Sequence, residues 1–150
     1  MGILFPIKKV TLTLSLALVL VIGAYSWAAA GQFFEANAGQ GGQRINISTL
    51  AVKGQITLIE FSSPFCPPCV RLAPRLEQLA QRSNNLVIIR LDINRPGFKG
   101  IDWKSPLAVQ YNLKTVPYFV IYNQKKEKVA QGDKAMDHVE KWLRKAGLAD

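Results

Sequence analysis

Ser63-Pro64-Phe65-Cys66-Pro67-Pro68-Cys69 joins an apolar run, Gln55–Ser62, to a segment of helical periodicity, Pro67–Arg82. It holds the only two cysteines of the chain. Cysteines three residues apart close a small ring and fasten no distant parts together, so their spacing points to chemistry rather than stabilisation. At a strand-to-helix junction Cys66 falls in the N-cap region. Unpaired N–H groups and the positive end of the helix dipole favour a thiolate there. Cys69 falls one turn further in. Cys66 is therefore expected to be the exposed nucleophile and Cys69 the more buried resolving thiol. The cycle of attack, mixed disulfide and resolution needs no cofactor and no metal.

Pro67 and Pro68 are compatible with a first helical turn, where an N–H has no intrahelical partner anyway. Neither can donate a hydrogen bond to the Cys66 sulfur. The Cys66 pKa is accordingly expected only moderately below the free-thiol value of about 8.5. Other uses of the pair have less behind them. Structural zinc needs four ligands, and His138 is the only other soft one. A Cys–His dyad would need His138, on the last helix, beside Cys66. Copper carriage has no cluster of methionine or histidine to support it. An inert pair remains open.

Working outward, Gln55–Ser62 reads as a strand buried on both faces. Leu72, Ala73, Leu76, Leu79 and Ala80 line one side of the helix over Pro67–Arg82, with a kink expected at Pro74. Leu86–Leu91 reads as a second strand and Asp92–Lys104 as a long loop. A short helix is predicted over Ser105–Tyr111, with Ser105 as its cap and Pro106 at its first position. Tyr118–Tyr122 and Glu127–Gln131 read as strands joined by a tight turn. The last helix is predicted over Lys134–Ala146, capped by Asp133 and ended by Gly147. Residues 45–51 read as a short strand or turn. This order implies an α/β fold with a mixed central sheet and helices on both faces. The first two crossovers are expected to give parallel neighbours, and the late hairpin an antiparallel edge.

Lys8 and Lys9 precede an apolar run from Val10 to Ala30. A helix of that length covers about 30 Å, the hydrocarbon thickness of a bilayer. Tyr25 and Trp27 suit the outer headgroup layer, and the two lysines hold the N-terminus inside. Residues 1–30 are thus expected to be a transmembrane signal anchor. Alternatively they are a signal peptide, cut after Ala28-Ala29-Ala30. Either way the domain reaches the extracytoplasmic side. The glycine-rich residues 31–44 read as a flexible tether, and 45–150 as the domain. The formal charge is +9; residues 1–30 contribute Lys8 and Lys9 and no acid, which leaves +7 on the remainder. The basic residues are scattered and Lys125, Lys126 and Lys128 fall in a hairpin turn, so the charge suits solubility rather than nucleic-acid binding.

Phe65-Cys66-Pro67-Pro68-Cys69, Pro74 five residues after the second cysteine, and Thr115-Val116-Pro117-Tyr118 occur in an order that resembles the thioredoxin superfamily. More narrowly, they resemble the membrane-tethered extracytoplasmic thioredoxin-like proteins of bacteria. The resemblance covers roughly residues 45–146 and implies a thioredoxin fold. Phe65 stands where the family usually has tryptophan. The family's buried acid, six residues before the nucleophile, corresponds to Glu60, which would accept the Cys69 proton. Glu60 also reads as an ion-paired residue at a sheet edge. The resemblance implies a cis bond before Pro117, which would face the disulfide. It also implies Phe65, Pro67, Val116 and Tyr118 as contacts for the substrate, Val116 pairing its backbone with an extended client. Trp103, in the long loop, reads as a partner contact or a packing residue.

The implied function is thiol–disulfide exchange on protein disulfides outside the cytoplasm, as a reductase. The alternatives are a thiol oxidase or general exchange protein, and a non-catalytic binding or copper-delivery module. The implied partners are client proteins with disulfides or thiols and an unidentified membrane or extracytoplasmic electron donor. The implied state is a monomer in the inner membrane, with a single pass through residues 10–30 and the domain on the periplasmic side.

Overall fold

The computed structural model describes residues 31–149. The anchor or signal peptide expected over residues 1–30 lies outside them. Among the described residues no helix is long and apolar enough to cross a membrane.

Five strands form one sheet: β1 (Gln32–Glu35), β2 (Ile56–Ser62), β3 (Leu86–Asp92), β4 (Tyr118–Tyr122) and β5 (Lys128–Gln131). The helices are α1 (Pro67–Gln81), α2 (Pro106–Gln110) and α3 (Asp133–Lys145), with a 3-10 turn at Ile47–Leu50. The strand order is β1-β3-β2-β4-β5. β3 pairs in parallel with both β1 and β2, whereas β4 runs antiparallel to β2 and to β5.

Alternation along the strands sorts the core into two layers. Leu58, Ile88, Phe119 and Ile121 pack with Leu76, Leu79 and Ala80 of α1 and Ala135, Val139 and Leu143 of α3. Ile59, Phe61, Ile89 and Leu91 face the other way, toward Ile47, Leu107 and Leu113. Ser105 caps α2, its side chain accepting from the Ala108 N–H at 3.1 Å. α1 continues through Pro74 without ending.

Three expectations need correction. Residues 31–44 are not a free tether. Gln32–Glu35 form the edge strand beside β3, and two of the glycines that follow, Gly41 and Gly42, are there for close packing. A Cβ on Gly41 would collide with the Asn94 carbonyl oxygen, and Gly42 has φ +75° with the Arg95 amide against it. The second crossover does not give a parallel neighbour. α2 has five residues and rises only about 7 Å, too little to return the chain along a seven-residue strand of about 23 Å. β4 therefore enters at the end where β3 left and runs back down beside β2. Asp133 is not the cap of α3, because Gly132 takes that position with no side-chain bond. Asp133 lies inside the first turn, where its carboxylate still meets the positive end of the dipole.

The loop after β3 is tied down by polar groups. The Asn37 side chain donates to the Asp92 carbonyl at 2.8 Å and accepts the Asp92 N–H at 2.9 Å, so it pairs like one more strand residue. Asp102, fully buried, accepts from Arg95 Nε at 2.7 Å and Nη2 at 3.1 Å. The hydrogen bonds from Arg95 hold the Asp102 carboxyl below its ordinary range. Its stabilisation is therefore present above the unfolded value of about 3.9 and is lost as pH falls through the lower folded value. Asp102→Asn should cost about 1 kcal/mol at pH 7. In urea titrations its gap from the parent chain should narrow below about pH 4.

Candidate active site

β2 leaves the sheet at Ser62, and Ser63 turns the chain. Its carbonyl accepts the Cys66 N–H at 3.1 Å, and its hydroxyl accepts the Phe65 N–H at 3.1 Å. Cys66 is the N-cap of α1, with extended backbone at φ −102° and ψ 102°. The Cys69 N–H donates to Cys66 Sγ at 3.2 Å. Pro67 and Pro68 occupy the first turn and offer the sulfur nothing. Cys66 and Cys69 are joined in a disulfide, with their Cα atoms 5.3 Å apart.

Cys66 is less open than its capping position suggested, at 2% exposed against 1% for Cys69. The disulfide holds its sulfur inward, and the Val116 carbonyl oxygen lies 3.5 Å from it. The Val116–Pro117 bond is cis, as the resemblance implied. Pro64, Phe65, Pro67, Pro68 and Val70 remain exposed around the pair. Beside them a groove of about 400 Å3 runs between α1 and α3, with Pro68, Leu72, Pro117, Met136 and Val139 in its lining. Tyr118 does not join this rim. Its ring packs against Phe61, 6.1 Å between centroids, on the sheet face covered by α2.

Glu60 is not at an edge. It sits in β2, between Arg90 of β3 and Phe119 of β4, with no exposure. Arg90 Nε and Nη2 both donate to Glu60 Oε2, at 3.0 and 2.9 Å. Oε1 is buried without a hydrogen-bond partner. Burial raises the Glu60 pKa to about 7, against the opposing charge and hydrogen bonds of Arg90. An ionised carboxylate is costly in that place, so the group changes protonation near neutrality.

Sequence reasoning did not single out Arg90. The signal was available only through register, which sets Arg90 directly opposite Glu60. It also passed over a cavity of about 130 Å3 lined by Cys69, Ser62, Ser63, Glu35, Arg90 and Asp92. Pro64 and Val70 share its lining with these polar groups, and it is wide enough for water. Burial is the main cause raising the Asp92 pKa; the Asn94 N–H opposes it, Glu35 adds to it, and Arg90 opposes it. The resolving cysteine and the arginine that holds Glu60 thus face one chamber.

The family model described as Thioredoxin matches residues 46–145. The chain belongs to the thioredoxin family. Thioredoxin H8 of Arabidopsis thaliana is 27% identical over 109 residues, covering 73% of this chain and 67% of that protein. Thioredoxin of Chlamydia trachomatis is 30% identical over 78 residues, covering 51% of this chain and 68% of that protein. Against other curated thioredoxins the match covers less of their length, down to 35% of the F-type protein of Mesembryanthemum crystallinum. The short form of spinach chloroplast thioredoxin F shares the fold. Its TM-score is 0.53 at 20% identity, over 79% of this chain and 96% of that one. The Cys66–Cys69 pair is the redox centre of a thioredoxin-fold thiol–disulfide oxidoreductase.

Glu60 also sets a pH dependence of stability. Its folded pKa, about 7, lies above the ordinary value of 4.5. Between those values the folded state binds more proton than the unfolded one, so stability falls as pH rises and levels off above about pH 7. In urea denaturation of the oxidised protein, Glu60→Gln should be the more stable form at pH 8, by up to about 3 kcal/mol. The two should converge near pH 4. An equal difference at both pH values would remove the buried charge as the cause.

Proposed function

We propose that this protein reduces disulfides of client proteins on the extracytoplasmic side of a membrane, held there by residues 10–30. Cys66 as thiolate attacks one client sulfur, and the client disulfide breaks as the mixed disulfide forms. Cys69 then loses its proton and attacks Cys66 Sγ. The client leaves as a thiolate that takes up a proton, two electrons having passed to it. Cys66 and Cys69 are left as the disulfide, which an external thiol donor must reduce again.

The observation that carries the reductive direction is the poverty of donors at Cys66. Its sulfur takes one backbone N–H, from Cys69 at 3.2 Å, and two prolines fill the turn where others would be. Strong oxidants of this chemistry owe their potential to a stabilised reduced form. One backbone donor and a helix dipole stabilise the thiolate only moderately.

Glu60 acts as the proton acceptor for Cys69, directly or through a water. Its pKa of about 7 suits a base that must take up and release a proton near neutrality. Phe65 and Pro67 offer apolar contact to the client. Val116 offers its backbone for strand-like pairing, its carbonyl already lying at Cys66 Sγ. Pro117, which lines the same groove as Pro68, narrows that approach. The client's flanking residues have the groove along Leu72 and Met136 open to them.

The reduction potential of the Cys66–Cys69 pair should lie nearer −270 mV than −120 mV when equilibrated with glutathione buffers. A value near −120 mV would overturn the direction of electron flow. Cys66→Ser should abolish insulin reduction, and Cys69→Ser should accumulate the mixed disulfide on non-reducing gels. In stopped-flow resolution of the mixed disulfide formed by the parent chain, which keeps Cys69, the rate should rise with pH through about 7. Glu60→Gln should lose that rise and run roughly a hundredfold slower at pH 8.

A further inference from the structure

The sheet has two poles. One carries the disulfide, beyond the end of β2. The other is where the chain enters the fold, and there is no slack at the entry. The Gly31 N–H donates to the Ser83 carbonyl at 2.5 Å, and β1 begins at the next residue. The turns of this pole are bonded to one another. The Ile56 N–H donates to the Asn85 carbonyl at 2.8 Å, and the Gly54 N–H to the Gln124 carbonyl at 2.9 Å. The end of α3 is fastened here too, by Arg82 Nη1 on the Ala146 carbonyl at 2.8 Å.

Charge is distributed unequally between the poles. Lys53, Arg82, Lys125, Lys126, Lys128 and Lys145 are all exposed at the entry pole. Among the described residues of these turns the acid is Glu127, which accepts from the Asn123 side chain at 2.7 Å. The other pole carries cations too, Arg71, Arg95, Lys99 and Lys134 among them, but there they are matched by acids: Glu35, Asp92, Asp102 and Asp133 lie at the far ends of β1 and β3, in the loop after β3, and at the start of α3. Between the cations opens an apolar cavity of about 320 Å3, lined by Ile56, Leu79, Leu86 and Trp142 with Arg82 and Lys145 at its rim. Half-buried indole with flanking cations is the composition that favours a lipid headgroup layer.

We propose that this basic pole lies on an anionic lipid surface and so holds the disulfide away from it. The inference rests on the reading of residues 10–30 as an anchor, since Gly31 then leaves the bilayer directly into the fold. β2 alone carries the chain about 23 Å from the entry pole toward Cys66. Client proteins would meet the disulfide on the outward side, in one orientation.

The test is amide hydrogen exchange of the full chain in phosphatidylglycerol vesicles and in phosphatidylcholine vesicles. Amides of residues 53–55, 82–86 and 123–128 should exchange roughly tenfold slower on the anionic lipid. The difference should vanish in high salt. Residues 64–70 and 95–99 should exchange alike in both. The triple variant Lys125→Glu, Lys126→Glu, Lys145→Glu should lose the protection and keep full insulin reduction. Equal exchange on both lipids, slowing at the disulfide pole, or stronger protection by an oligonucleotide than by the vesicles would overturn the proposal. Retention through an alkaline wash, applied after exchange is read, tests the anchor separately. A retained chain with an unprotected basic pole refutes only the surface contact. A chain washed off refutes the anchor, while its exchange still decides the contact.

Discussion

The start of α1 is the constraint around which the site is arranged. Cys66 must cap the helix and carry the reacting sulfur at once. Its backbone is extended where β2 ends, and its sulfur accepts the Cys69 N–H within the first turn. That hydrogen bond sets the sulfur at the positive end of the helix dipole, and the disulfide closes across the same turn. A helix starting one residue later would separate the cap from the cysteine.

Everything else at the site is held relative to that turn by the sheet. β4 runs antiparallel beside β2, which delivers the Val116 carbonyl to Cys66 Sγ at 3.5 Å. β3 runs parallel on the other side, which sets Arg90 opposite Glu60 and brings Asp92 level with Ser62. The disulfide is thus covered by backbone from one neighbour and served by charged side chains from the other. The first arrangement gives a narrow approach for an extended partner. The second sets a buried, titrating carboxylate in the strand that leads to the site, and a chamber against the resolving thiol.

Burying Glu60 is unfavourable for folding whenever it is ionised, and Arg90 offsets only part of that cost. One oxygen is ion-paired and the other is left without a partner. A core strand would be more stable with an apolar residue there. A carboxyl group that titrates near neutrality is what the proton transfer in the proposed cycle requires, so under that proposal the destabilising feature and the chemically useful one are the same.

The strand–CxxC–helix junction, the strands β2 to β5, the short helix capped by Ser105 and the two-faced burial of the sheet were legible in the sequence. Their signals are local: apolar period, cap residues, proline position and cysteine spacing. β1 was not legible. Four residues, with Phe33 and Phe34 both apolar, show no alternation, and the nearby glycines resemble a linker until their neighbours are seen. The direction of β4 was also hidden, because it depends on where the loop and α2 leave the chain in space. Arg90, the chamber behind Cys69 and the basic entry pole are built from residues far apart in the chain. Local patterning determines which segments become strands and helices and where the thiols must lie. Register between strands determines which charges meet, and register forms only when the sheet assembles.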